Sequence, residues 1–258
     1  MALLAVNNLC LSFGGVHAVD HASFMVQRGE IVSMIGPNGA GKTSLFNLIS
    51  RVYDPDDGRI LFDGRDITRL PAHEVPRLGI ARTFQNLRLF ERSTVLDNLM
   101  MGRYRHSRAN FLQQAFFTPA MRAERLADRR RVEEIIRLLE IERYRDTPVH
   151  GLPYGVKKVV ELGRALCLDP VLLMLDEPSS GLNPEETRDL SFWIRDIRKE
   201  LKLTIILVEH DMTLVNAVSD RVLALAMGRV LTQGTPQEVR THPEVLAAYL
   251  GADADVNA

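Results

Sequence analysis

The chain has 258 residues, 46% of them hydrophobic and 25% charged, which is the balance of an ordinary folded protein and excludes disorder or a fibrous repeat. Lys+Arg 32 against Asp+Glu 33 leaves a net charge of −1, so no whole-chain field draws nucleic acid or an anionic membrane, and such a contact has to be local. The longest apolar runs, such as residues 171–175 and 205–208, fall far short of the roughly 18 residues that a spanning helix needs.

At the amino terminus the sequence Met-Ala-Leu-Leu-Ala-Val-Asn-Asn lacks the positive start and long apolar stretch of an export signal, so the chain is expected to stay in the cytoplasm. Cys10 and Cys167 stand far apart among apolar neighbours; they read as two buried small hydrophobes, with neither a disulfide framework nor a zinc site expected. Residues 23–26 and 31–35 are short β-compatible runs separated by Arg28-Gly29-Glu30, which predicts a hairpin-like start. After the glycine-rich residues 36–41, Leu45, Leu48 and Ile49 recur at helical spacing over 43–50.

Between about 94 and 168 the β-type runs give way to an Arg-, Glu-, Leu- and Ala-rich helical pattern, read as a helical insertion. Within it, residues 103–131 hold eight arginines against Glu124 and Asp128, a local excess of 8 − 2 = 6. A solvated helix face accounts for such a run, and a contact with a partner or lipid headgroups is the sharper alternative. Farther on, apolar runs at 171–175, 204–208 and 222–227 alternate with helical stretches at 184–201 and 212–218. This alternation predicts parallel strands with helices on both faces. Smaller elements follow around 229–232 and 243–250.

Gly36-Pro37-Asn38-Gly39-Ala40-Gly41-Lys42-Thr43 fits the pattern G-x-x-x-x-G-K-[ST], between a strand and a helix. Glycines let the backbone wrap phosphate oxygens, the helix N-terminus supplies partial positive charge, Lys42 a full one, and Thr43 offers its hydroxyl to Mg²⁺. A second metal-holding acid is required at the end of another strand. Leu172-Leu173-Met174-Leu175-Asp176-Glu177 supplies it: Asp176 to hold Mg²⁺ directly or through water, Glu177 to polarise an attacking water.

Taken together, these residues make nearly the whole chain resemble the nucleotide-binding subunits of ABC transporters. The resemblance rests also on Phe13 in Leu-Ser-Phe-Gly-Gly, on Gln85 in Arg-Thr-Phe-Gln-Asn, on Leu152-Pro153-Tyr154-Gly155-Val156 at the signature position, on Ser180-Gly181-Leu182-Asn183 after Glu177, and on His210. It implies an α/β P-loop NTPase fold, a RecA-like core with an N-terminal antiparallel β subdomain and a helical subdomain. Residues 1–86 and 160–235 would form the ATP-binding core, 87–159 the helical subdomain with the signature, and 236–258 a C-terminal helical tail. ATP would meet Phe13 through its adenine and residues 36–44, including Ser44, through its phosphates. Thr43, Gln85 and Asp176 would meet Mg²⁺, and Glu177, His210 and Gln85 would act on the γ-phosphate and its attacking water.

In such proteins ATP lies between the P-loop of one subunit and the signature of another, so a dimer, homo- or heteromeric, is implied. The signature departs from the usual L-S-G-G-Q at Pro153, Tyr154 and Val156. Pro153 removes a hydroxyl, while Gly155 and the following helix N-terminus remain, with proline suited to a first helical turn. Residues 82–90 (RTFQNLRLF) and the tail Gly234-Thr235-Pro236, His242-Pro243-Glu244 and Tyr249-Leu250-Gly251 look most like the ATPases of branched-chain amino acid importers. That implies transmembrane permease partners, indirectly a substrate-binding protein, no nucleic acid, and a peripheral place on the cytoplasmic face of the (inner) membrane. Uptake of urea or another small molecule, lipopolysaccharide export, and an ATP-dependent binding module without turnover are the alternatives.

Overall fold

The computed structural model of the protein describes residues 2–83, 88–103 and 119–255. It divides into two units, Met1–Arg82 with Val171–Ala258, and Thr83–Pro170.

In the first unit, β1 (Ala2–Phe13) and β2 (Val16–Gln27) form a long antiparallel hairpin. Gly14 and Gly15 turn it, with φ of 52° and 87°, a region where a side chain would be strained. β4 (Asp57–Phe62) and β5 (Arg65–Asp66) complete a four-stranded sheet in the order β2-β1-β4-β5. A second sheet has the order β10-β9-β3-β8-β7-β6, from β3 (Ile31–Ile35), β6 (Ile80–Arg82), β7 (Leu172–Asp176), β8 (Thr204–Val208), β9 (Arg221–Ala226) and β10 (Arg229–Gly234). Within it β9, β3, β8, β7 and β6 run parallel, and β10 returns antiparallel on β9.

The hairpin expected between residues 23–26 and 31–35 does not form. β2 pairs with β1, whereas β3 lies between β8 and β9. Arg28-Gly29-Glu30 is a turn, but it carries the chain from one sheet to the other: the Gly29 N–H donates to Thr204 Oγ1 at 2.8 Å and the Glu30 carbonyl accepts from Ile205 at 2.9 Å. All five residues of β3 are buried, and only an interior strand covers both faces of such a run.

Alternate residues of the parallel strands feed two cores. Val32, Met34, Ile206, Val208, Leu223 and Leu225 join Leu45, Phe46, Leu48 and Ile49 of α1 (Lys42–Ile49) and the inner face of the antiparallel sheet. Ile35, Val222 and Ala224 face the other way, onto Val215 of α6 (Met212–Val218), Val239 of α7 (Pro236–Arg240) and Val245 of α8 (Pro243–Asp255). One face of the sheet is therefore covered by a helix and a second sheet. The tail packs into a core.

The second unit holds α2 (Val95–Met101), α3 (Pro119–Leu138) and α4 (Tyr154–Leu166). A capping box between Thr94 and Asp97 starts α2, satisfying amides the helix leaves without partners. Val95, Leu99, Val132, Ile135, Ile136, Val159 and Val160 are buried within the unit. The unit extends to Pro170, so the boundary expected at 160 falls inside α4, where the helix has no reason to break. Part of the arginine-rich run is internally neutralised: Arg103 pairs with Asp128 and Asp169, and Arg131 with Asp169 and Glu134. Residues 104–118 of that run lie outside the described residues.

Candidate functional site

Parallel β3, β7 and β8 all end on one edge of the sheet, the edge where open α/β sheets bind ligands. The glycine loop leaves β3 there, Asp176 and Glu177 leave β7, and Glu209 and His210 leave β8.

Two glycines of the loop are fixed by contact. A Cβ on Gly36 would stand 2.2 Å from the Leu225 carbonyl oxygen, and one on Gly41, with φ of 94°, 2.3 Å from that of Ala18. The loop is also tied to the β9–β10 turn, where the Gly228 N–H donates to the Ala40 carbonyl at 3.1 Å. Gly41 occupies the N-cap of α1 without any side-chain hydrogen bond to the first-turn amides. An uncapped N-terminus at a positive-φ glycine loop fits an anion, since main-chain N–H groups and the helix dipole point into it. Asn38, Gly39 and Thr43 are exposed, Pro37 and Ser44 partly so, and Ala40 is buried.

Lys42, 8% exposed, curls back over this loop. Its Nζ donates to the Gly36 carbonyl at 2.7 Å and to that of Pro37 at 2.9 Å. Burial lowers its pKa below the usual lysine value, and the negative charge of Glu177 acts in the opposite direction. The Glu177 carboxylate thus lies within electrostatic reach of the ammonium.

Asp176 ends β7 in a buried position, and Arg82 at the end of neighbouring β6 donates to its Oδ2 at 2.7 Å. The same guanidinium reaches Asn47 Oδ1 at 2.6 Å and Ser50 Oγ at 3.0 Å and lies over the Phe46 ring. Glu177 follows with φ of 46°, its N–H held by the Val208 carbonyl at 3.0 Å. A side chain carried at positive φ is uncommon and concentrates at functional sites.

Glu209 is fully buried. Its Oε1 accepts from the Ser179 N–H at 2.8 Å, and its Oε2 from those of His210 at 3.1 Å and Asp211 at 3.3 Å. One carboxylate thus joins the segment after Glu177 to the segment bearing His210, which is exposed. Beyond it, Asn183 forms a capping box with Glu186 at the start of α5 (Pro184–Leu201). Phe13 ends β1 half-exposed and meets the Tyr53 ring edge-on, centroids 5.3 Å apart.

Of the remaining expected residues, Gln85 lies outside the described residues. Gly155 belongs to the other unit, in the first turn of α4; Pro153 there is the N-cap, with φ of −54° and ψ of 151°, and precedes the first helical turn in which it was expected. Arg82, Glu209 and Tyr249 were not singled out as site residues from sequence. Tyr249, in α8, takes a hydrogen bond from the Gly36 main chain, which lowers its pKa, while burial, the larger effect, raises it. A charged residue continuing a buried apolar run, as Glu209 does after residues 204–208, is the one local signal that would have marked any of the three.

The family profile described as ABC transporter matches residues 19–180, and one described as branched-chain amino acid ATP-binding cassette transporter matches residues 229–255. The chain is 42% identical over 252 residues to the high-affinity branched-chain amino acid transport ATP-binding protein BraF of Pseudomonas aeruginosa, covering 96% of this chain and 98% of that one. It is 38% identical over 249 residues to the corresponding protein LivG of Escherichia coli, covering 96% and 98%. Among solved structures, the ADP conformation of an ATP-binding cassette of an ABC transporter superposes with a TM-score of 0.84 at 28% identity, over 97% of this chain and 99% of that chain.

Proposed function

This chain belongs to the ABC transporter family, and from that premise we propose that it is the ATP-hydrolysing subunit of an importer of branched-chain amino acids. The observation that carries this reading is the edge where the glycine loop, Asp176, Glu177 and His210 converge at the ends of β3, β7 and β8. The relatives named above, matched over nearly their full length, supply the substrate class.

Within the site, the first-turn amides of α1 and the ammonium of Lys42 hold the β- and γ-phosphates, and Phe13 meets the adenine. Lys42 then exchanges its two carbonyl partners for phosphate oxygens. Thr43, Asp176 and Gln85 are the residues that would hold Mg²⁺, an ion that neutralises phosphate charge when bound. Glu177 takes the proton from the attacking water, and His210 contacts the γ-phosphate. The signature surface of a second subunit, with Gly155 and the N-terminus of α4, closes the site.

No helix among the described residues is long and apolar enough to cross a membrane. On the likeness to the importer subunits named above, the proposed assembly has transmembrane permeases that carry the amino acid, a substrate-binding protein that delivers it, and this chain on the cytoplasmic face of the membrane. Purification of the tagged chain from native membranes, with identification of the subunits that accompany it, tests this. Permeases of an amino acid importer are the expected companions, and those of a urea or lipopolysaccharide system would replace the substrate assignment.

Pro153 bears on how tightly the site closes. Without a hydroxyl at the α4 N-cap, the signature surface contributes less to ATP than a serine-bearing one. Pro153→Ser is expected to strengthen ATP-dependent pairing of subunits by about tenfold or more, the lower end of what one hydrogen bond to a charged group contributes. Sedimentation with and without ATP measures it, and an unchanged association constant removes the argument.

A further inference from the structure

The β1–β2 hairpin carries a cluster that the phosphate chemistry does not use. Leu9 stands opposite Ala22 and Leu11 opposite Val19, so between these pairs β1 offers Cys10 alone against both Asp20 and His21. Such a two-against-one bulge re-aims side chains, and His21 adopts a φ of 52° within it. Cys10, expected to be buried, is instead partly exposed and faces the His21 ring.

Cys10 Sγ lies 3.5 Å from His21 Nδ1, and Asn8 Oδ1 lies 3.0 Å from the same nitrogen. On the other side of the ring, His21 Nε2 faces Asp20 Oδ1 at 3.7 Å, while Asp20 Oδ2 is held by Arg229 Nε at 2.6 Å. A sulfur, a ring nitrogen and a carboxylate oxygen of these residues all fall within 4.8 Å of one another. A tetrahedral zinc ion with bonds of about 2.3 Å to sulfur and about 2.05 Å to nitrogen separates those two ligands by about 3.6 Å. The cysteine–histidine spacing matches that edge.

We propose that Cys10 Sγ and His21 Nδ1 bind a divalent zinc ion, with Asp20, whose Oδ1 lies 3.7 Å from Nε2, drawing in on binding to accept the Nε2–H and fix the ring. Water completes the coordination, because His21 lies open to solvent. Binding transfers the Cys10 thiol proton to solvent, moves the ring proton from Nδ1, where Asn8 Oδ1 accepts it, to Nε2, and leaves a thiolate on the metal. A thiolate with an imidazole selects zinc over magnesium or calcium, which take oxygen ligands; the ion is therefore distinct from the one the nucleotide site would use. A carboxylate on the far ring nitrogen is the usual support of a metal-bound histidine. The site also sits close to the phosphate loop: the Asp20 N–H donates to the Gly228 carbonyl at 2.9 Å, and the Gly228 N–H donates to that of Ala40.

Cobalt(II) titration of the reduced, metal-stripped full chain without nucleotide tests the assignment, since a cobalt–thiolate bond gives a near-ultraviolet charge-transfer band. One ion per chain is expected, with the band absent in Cys10→Ser and unchanged in Cys167→Ser. Zinc, titrated in competition, should bleach the band, and His21→Ala should weaken zinc binding at least tenfold. Asp20→Asn should keep the band with affinity lower by about tenfold, as loss of an outer partner does. ATP binding by each variant confirms that it is folded. A wild-type chain that takes up no cobalt or zinc at micromolar concentration, or a band that survives Cys10→Ser, overturns the proposal.

Discussion

A Glu177→Gln variant is expected to bind ATP with near-wild-type affinity and to turn it over about 10²- to 10⁴-fold more slowly, the range contributed by a positioned general base. The residue is anchored by its own backbone, through the bond from its N–H to the Val208 carbonyl at 3.0 Å and a φ of 46°. Glutamine keeps the volume and most of the hydrogen bonding, so the loop keeps its shape and only the capacity to accept a proton is lost. Lys42 loses a neighbouring negative charge at the same time, which leaves its ammonium free to favour phosphate. Phosphate release under steady state, beside equilibrium binding of ATP, separates the two effects. Wild-type turnover in this variant would remove Glu177 from the role of base.

The second large effect belongs to Glu209. Its carboxylate satisfies the N–H groups of Ser179, His210 and Asp211 from a fully buried position. Glu209→Ala strands these donors, each costing about 1–3 kcal/mol if nothing replaces the acceptor. A destabilisation of about 2–4 kcal/mol is expected once partial relaxation is allowed for. Hydrolysis should fall as well, because Ser179 and His210 lose their common anchor. Glu209→Gln retains one acceptor oxygen and sets an amide nitrogen against the remaining donors, so it should fall between wild type and alanine. Urea unfolding read by the fluorescence of Trp193, the chain's single tryptophan, carried on α5, measures the first effect, and an unchanged midpoint in the alanine variant would deny Glu209 its anchoring role.

The parts legible in the sequence are those whose physics is local. The phosphate loop is one contiguous run, and the interior strands advertise themselves as unbroken apolar stretches because both of their faces are covered. β1 and β2 carry no such signature: their register shifts between Val6 and Leu9 and again between Leu9 and Leu11, which breaks the alternation by which a half-buried strand is read. Arg28-Gly29-Glu30 shows a different failure. Turn chemistry reports that the chain reverses, and not which sheet it enters. Contacts such as Arg82 to Asp176, 94 residues apart, exist only once β6 and β7 are neighbours, so nothing in either local sequence announces them. The cysteine beside His21 was hidden in the same way, by a pairing offset that composition does not contain.

Lys42 gives the phosphate loop a partner of its own. By holding the Gly36 and Pro37 carbonyls, the ammonium is the cation of its own loop, and in the proposed mechanism it would also be the counterion to phosphate. Nucleotide arrival is then an exchange of partners. Its free energy is a difference between two hydrogen-bonded states, smaller than the attraction of a bare charge for phosphate would suggest. The same exchange would run backward after hydrolysis, with the carbonyls competing to reclaim the lysine. A loop that offers its lysine an alternative partner is built to let go of product as well as to hold substrate, and release is what a motor that must cycle requires.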